Sequence, residues 1–160
     1  MLDLKGPVIL RPFELADARK VEPWLTAPGL SLPAGRAQRD WPQRLLADHR
    51  IVAGIAEANG RDVGFVRLDC GPDMIAELTM VVAPECRRLG LGRAMFAAAL
   101  RQAAGRGIRE FLALVDIGNQ PALQFFASLG FENGGLIGDR VRMSRFVHAG
   151  GDTMPLYIEV

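Results

Sequence analysis

Arg87, Arg88, Leu89, Gly90, Leu91, Gly92 and Arg93 form the stretch of this chain with the clearest chemical potential. An apolar run precedes them and a long Ala- and Leu-rich segment follows, the setting of a strand-to-helix turn. Glycine lets a backbone turn sharply and come close to a ligand. Free N–H groups at a helix start, with the positive end of the helix dipole, attract anions. Three arginines add donors matched to phosphate oxygens. The spacing therefore predicts a phosphate or pyrophosphate at this turn. A Walker A loop is excluded, because it ends in Gly-Lys-Ser or Gly-Lys-Thr. A dinucleotide fingerprint needs Gly or Ala three residues after Gly92, and Met95 stands there. The plain alternative is an ordinary turn whose arginines face solvent, but three arginines around two glycines favour a ligand.

The elements that would hold this turn can be read outward from it. A strand over Ile75 to Val82 leads in, and a helix over Gly92 to Ala104 leads out. Phe111 to Val115 is a short, fully apolar run suited to the middle of a sheet. Ala122, Phe125, Phe126 and Leu129 then recur at helical spacing, with Asn119 as cap, Pro121 in the first turn and Gly130 just past the end. Upstream, Val8 to Leu10 reads as an opening strand. Ala18, Val21 and Leu25 read as a helix that Pro23 shortens or kinks. Ala27 to Gly35 is a loop, and Trp41, Leu45 and His49 suggest a second short helix. Strands over Ile51 to Glu57 and Val63 to Asp69 are joined by Asn59-Gly60, a strong hairpin signal. Two further strands are expected within Phe131 to Val147 and within Met154 to Val160, with a turn at Ala149 to Asp152. The order predicts a single α/β domain over residues 1–160, with a mixed, mostly antiparallel sheet of about seven strands and helices on both faces.

Composition narrows the function classes. The chain has 160 residues, with 19 Lys and Arg against 18 Asp and Glu and a net charge of +1. Such a balance argues against bulk electrostatic binding to nucleic acid or to an anionic membrane. Hydrophobic residues make up 49% and can bury a sizeable core, which excludes wholesale disorder. No apolar run approaches the ~20 residues that span a bilayer, and the first residues lack a signal-peptide pattern. Cys70 and Cys86 form neither a disulfide framework nor a C-x-x-C pair, so a reduced cytoplasmic setting is expected. Both read as inert thiols, and the position of Cys86 beside Arg87 does not by itself make it a nucleophile. His49 and His148 lack a third ligand at metal spacing, so no metal is expected.

Arg87-x-x-Gly90-x-Gly92, after a strand ending Val82-x-Pro84, resembles the acyl-CoA-binding signature of the GNAT superfamily of N-acetyltransferases. Asn119-x-x-Ala122-x-x-Phe125-Phe126-x-x-x-Gly130-Phe131 is similar to that family's second CoA-contacting helix and the strand after it. The resemblance implies a sheet splayed beyond the Ile75–Val82 strand and an acetyl-CoA cofactor. It implies that the backbone of Met80, Val81 and Val82 pairs with the pantetheine arm. The amides from Arg87 through Arg88, Leu89, Gly90, Leu91 and Gly92 to Arg93 would hold the pyrophosphate. Asn119 and Phe126 would flank the end near the sulfur, though Asn119 also reads as a cap and Phe125 and Phe126 as core. The implied activity is acetyl transfer to an amine of a small molecule or protein, with a homodimer as a compatible assembly. A non-catalytic acyl-CoA sensor is the opposing reading.

One departure concerns proton transfer. The family often carries Tyr where Phe126 stands, and Phe has no proton to give. Another group then protonates the thiolate, or the thiolate leaves unaided, or the protein binds without turnover. Tyr157, the only tyrosine, is the remaining candidate acid. The resemblance points to Glu77 as the group that takes the acceptor's proton, with burial raising its pKa. A half-exposed surface carboxylate is the equal alternative. Phe13 to Arg50 and the last strands would line the acceptor site, and they hold no acidic cluster of the kind a polycation would need.

Overall fold

A computed structural model describes residues 7–25 and 40–148, and these build one seven-stranded sheet with four helices. The strands are β1 (Val8–Pro12), β2 (Ile51–Ala58), β3 (Arg61–Cys70), β4 (Ile75–Val82), β5 (Glu110–Asp116), β6 (Glu132–Ile137) and β7 (Arg140–Phe146). The helices are α1 (Ala18–Leu25), α2 (Trp41–Ala47), α3 (Leu91–Gly105) and α4 (Gln120–Ser128). Strand order across the sheet is β1-β2-β3-β4-β5-β7-β6, antiparallel throughout except for the β4–β5 pair. The mixed, mostly antiparallel architecture expected from the element order is observed. No helix among the described residues is long and apolar enough to cross a membrane.

The hairpin between β2 and β3 turns on Asn59 and Gly60, whose φ angles of 52° and 75° are those a two-residue primed turn demands. From there the register carries Gly64 opposite Val82 and Asp69 opposite Glu77. Neighbouring strand residues point to opposite faces. A methyl on Gly64 would sit 2.5 Å from Met95 Cε, so α3 covers that face. Phe65, next along, stacks at 5.7 Å on Phe13, which meets Trp41 of α2 at 5.9 Å. Helices therefore lie on both faces. Leu91, Met95, Phe96, Ala99 and Ala103 form the buried stripe of α3 at helical spacing. Below it Phe96, Phe111 and Phe131 make ring contacts at 5.7 Å, and the Arg145 guanidinium sits 5.3 Å over Phe96.

Pro23 is accommodated inside the short α1, which follows a 3-10 turn over Leu15–Asp17. That turn is pinned by Arg11, which donates to Asp17 at 2.9 and 2.7 Å, to Glu57 at 3.0 Å and to Asp62 at 3.2 Å. Lys20 also bonds Asp62. The C-terminal expectation needs correction. The segment read as one strand is a hairpin, β6 and β7, turning at Gly138 and Asp139. All six residues of β6 are exposed, so it shows none of the alternating burial by which a strand is recognised in sequence. The loop at residues 27–35, the turn at 149–152 and the strand expected within 154–160 lie outside the described residues.

Candidate active site

Two features converge at the carboxyl end of β4. One is the turn into α3. The chain leaves β4 through a 3-10 turn at Pro84–Cys86, passes through exposed residues 87–90, and enters α3 at Leu91. Arg88 and Gly90 both take left-handed backbone, at 65° and 77°, which reverses the chain into the helix. Such a conformation suits Gly90 but strains Arg88, an outlier of the kind that gathers at functional sites. No side chain caps α3, and the amides of Arg88, Leu89 and Gly90 donate to no backbone carbonyl among the described residues. With the first-turn amides of Leu91, Gly92 and Arg93 they form an open row of donors at a positive dipole end.

The arginines are not equivalent. Arg87 Nε donates to the Val82 carbonyl at 3.4 Å, and Arg93 Nη2 donates to Ser128 Oγ at 3.1 Å. Arg88 makes no ion pair among the described residues. Gly92 has a structural reason the sequence did not suggest. A Cβ there would lie 3.0 Å from two ring carbons of Phe125, so glycine lets α3 and α4 approach.

The second feature is a cleft. β4 and β5 pair only at Ile75–Glu110, Ala76–Phe111 and Glu77–Leu112, then diverge. The gap is lined by Glu77, Leu78, Thr79 and Met80 on β4 and by residues 113–116 on β5. Asn119, Ala122 and Phe126 of α4 close it, around a cavity of about 90 Å³. Which backbone groups face it follows from the ladder. Ala83 N–H donates to the Val63 carbonyl and Gly71 N–H to the Ile75 carbonyl, so the odd residues of β4 bond to β3. Beyond the last pairing with β5, Met80 and Val82 therefore turn their amides and carbonyls toward the gap. Val81, expected beside them, spends its backbone on β3 and buries its side chain.

Asn119 caps α4, its Oδ1 accepting from the Ala122 amide at 3.2 Å, and also lines the cleft. Phe126 lines it as well while stacking at 5.0 Å on Phe131. Both therefore pack within the fold and also line the cleft. Neither cysteine reaches the cleft. Cys86 is fully buried, and burial raises the Cys70 thiol pKa.

Glu77 sits half-buried at the point of divergence. Its pKa is raised above the ordinary carboxylate value, first by burial and then by the negative charge of Asp69 across the ladder. Arg140 and Arg67 oppose that rise. Arg67 is committed to Asp69 by two bonds, at 2.7 and 2.9 Å. Asp69, Arg67, Thr79 and Arg140 were absent from the sequence reading. The Gly71-Pro72-Asp73 turn could have set Asp69 opposite Glu77, but nothing local brings Arg140 to this place. Tyr157, the candidate acid, lies outside the described residues.

Comparison with known proteins adds a family. A model described as the Acetyltransferase (GNAT) family matches residues 12–131. A mycothiol acetyltransferase of Thermomonospora curvata is 34% identical over 115 residues, which is 71% of this chain and 31% of that protein. A mycothiol acetyltransferase of a Nocardioides species is 33% identical over 117 residues, 71% and 36% respectively. The matched stretch thus spans about a third of the length of these curated relatives. Among solved structures, spermidine N-acetyltransferase from Vibrio cholerae in complex with CoA and spermine superposes with a TM-score of 0.73. It is 19% identical, with 89% of this chain and 96% of that one covered, a likeness of fold.

Proposed function

This chain belongs to the GNAT acetyltransferase family, and from that premise we propose that it transfers an acetyl group from acetyl-CoA to an amine in a ternary complex. One observation carries the reading. The cleft opened by the parting of β4 and β5 has an uncapped helix N-terminus with free loop amides at one end and a carboxylate of raised pKa at the other. A sensor would need only the first. The curated relatives are named as acetyltransferases, which supports turnover over binding alone.

The residues present fit acetyl-CoA. The amides of Arg88 to Arg93 suit a pyrophosphate, with Arg88 as the arginine left to add charge. The cleft-facing backbone groups of Met80 and Val82 suit the amides of an extended pantetheine arm, as a strand would pair with them. Bound there, acetyl-CoA supplies an activated acyl group whose carbonyl a cleft-facing N–H of β4 can polarise.

Glu77 is then the proton acceptor. An acceptor amine arrives as ammonium and must lose a proton before it can attack. Glu77 takes that proton directly or through one water. Transfer forms an N–C bond to the acetyl carbon and breaks the C–S bond, the electron pair leaving on sulfur and the second proton of the nitrogen passing to water. Phe126 offers no proton, so the thiolate takes one from Tyr157 or from water. The test is release of CoA thiol from acetyl-CoA in the presence of small amines and amine-bearing peptides, with the acetylated product identified by mass. Binding of CoA without thiol release from any amine would favour the sensor.

A further inference from the structure

Residues from both faces of the sheet line the cleft. Alternation assigns each lining residue to a side. Leu78 and Met80 share the face of Gly64 and α3, and Ala113 and Val115 share the face of Phe111 beneath Phe96. Asn119, Ala122 and Phe126 of α4 line the cleft on that side too. Glu77 and Thr79 share the opposite face with Phe65, and Leu114 and Asp116 follow the parity of Leu112, the partner of Glu77. The phosphate turn belongs to the α3 side. An acceptor would meet the acetyl group from the Glu77 side.

That mouth has a defined charge pattern. β7 lies beyond β5, with Arg140 opposite Asp116 and Arg142 opposite Leu114, so both arginines are on the Glu77 face. Arg142 runs outward, its Nη1 3.6 Å from where a Cβ of Gly134 would stand. Arg140 is half-buried and exerts its charge on Glu77. It makes no ion pair among the described residues. On the β3 flank Arg67 and Asp69 neutralise each other. Asp116, which lines the cleft, stands opposite Arg140 on the same face, so this mouth sets the Arg140 guanidinium beside two cleft-lining carboxylates, Asp116 and Glu77. A carboxylated amine matches both kinds of charge at once, because a guanidinium holds a carboxylate through paired, charge-assisted bonds.

We propose that the acceptor is an amine carrying a carboxylate close to its nitrogen, as in an α-amino acid, with Arg140 holding the carboxylate and the amine turned toward Glu77. This rests on the acetyl-transfer reading and names the substrate class of that same site. The test compares matched pairs as acceptors: phenylalanine with phenethylamine, and leucine with 3-methylbutylamine, with spermidine as a polycation. Wild-type protein should favour the carboxylated member at least tenfold in kcat/KM. In Arg140→Gln that ratio should collapse toward one, mostly through KM, and Arg140→Lys should restore part of it. CoA affinity within twofold of wild type shows that the variants are folded. Equal use of both members, preference for spermidine, or an unchanged ratio in Arg140→Gln overturns the proposal while leaving acetyl transfer standing. Absence of thiol release with every one of these amines overturns the proposal, and acetyl transfer falls with it only if the amine-bearing peptides fail as well.

Discussion

Gly92→Ala isolates a contact that the phosphate-loop signature conceals. A new Cβ would meet two ring carbons of Phe125 at 3.0 Å, a few tenths of an ångström too close. Phe125 is half-buried, and its edge contact with Phe126 at 5.5 Å, itself against Phe131 at 5.0 Å, blocks its retreat on that side. Overpacking of this kind costs about 1–3 kcal/mol. Against it stands the gain of replacing glycine by alanine in a helix, roughly 0.5–1 kcal/mol. The clash should win, leaving a net loss of up to about 2.5 kcal/mol by these two estimates. For a chain of this size that is a fall in Tm of up to about 10 °C. Because α4 also carries Asn119 and Phe126 into the cleft, pushing it away should weaken CoA binding as well. The assay is thermal unfolding of Gly92→Ala, Phe125→Leu and the double variant, with CoA titration on each. In the Phe125→Leu background the alanine should be neutral or stabilising, a coupling of about 1 kcal/mol or more. A rise in Tm for Gly92→Ala alone, or equal effects in both backgrounds, would refute the reasoning.

Glu77→Gln should cost at least a hundredfold in kcat, by the usual size of a general-base contribution, roughly 10²–10⁴. Wild-type kcat should fall as pH drops through the raised pKa of Glu77, and a pH–rate series should find that limb absent in the variant. The same substitution should stabilise the fold at neutral pH. A carboxyl whose folded pKa lies above its unfolded one contributes stability at acid pH that is lost as pH rises through the folded value, so Tm curves should converge below about pH 4. Arg11→Ala leaves the buried Asp17 carboxylate without its main partner and should cost about 2–3 kcal/mol in urea unfolding. Asp17 has its pKa lowered, chiefly by the Arg11 hydrogen bond, so that contribution is present above the ordinary carboxylate range. The deficit of Arg11→Ala should shrink as pH falls through that range.

Signals that live in neighbouring residues were legible. Asn59-Gly60 named its hairpin, Asn119 with Pro121 and Gly130 marked α4, and the Gly90 and Gly92 turn stood out from its surroundings. β6 was not legible, because a strand with all six residues exposed has no apolar alternation to betray it. The missed side of the site has a different cause. Glu77 could be named from the family resemblance and its place on an apolar strand, but its neighbours Asp69 and Arg140 arrive by strand pairing, 8 and 63 residues away in the chain. The role of Gly92 against Phe125 is likewise a helix–helix contact. The three arginines beside the turn read alike in sequence. Their division into Arg87 on Val82, Arg93 on Ser128 and an unengaged Arg88 depends on where β4 and α4 end.

Calorimetric titration of CoA into wild type, Gly90→Asp and Arg88→Ala tests the central claim most directly. Gly90 has a φ of 77°, and aspartate there adds backbone strain and a negative charge among amides that are to hold a pyrophosphate. Backbone donors are predicted to dominate, so Gly90→Asp should lose affinity by tenfold or more and Arg88→Ala by less. Affinity for CoA undiminished in Gly90→Asp, or a larger loss in Arg88→Ala, would contradict the placement of acyl-CoA on this turn.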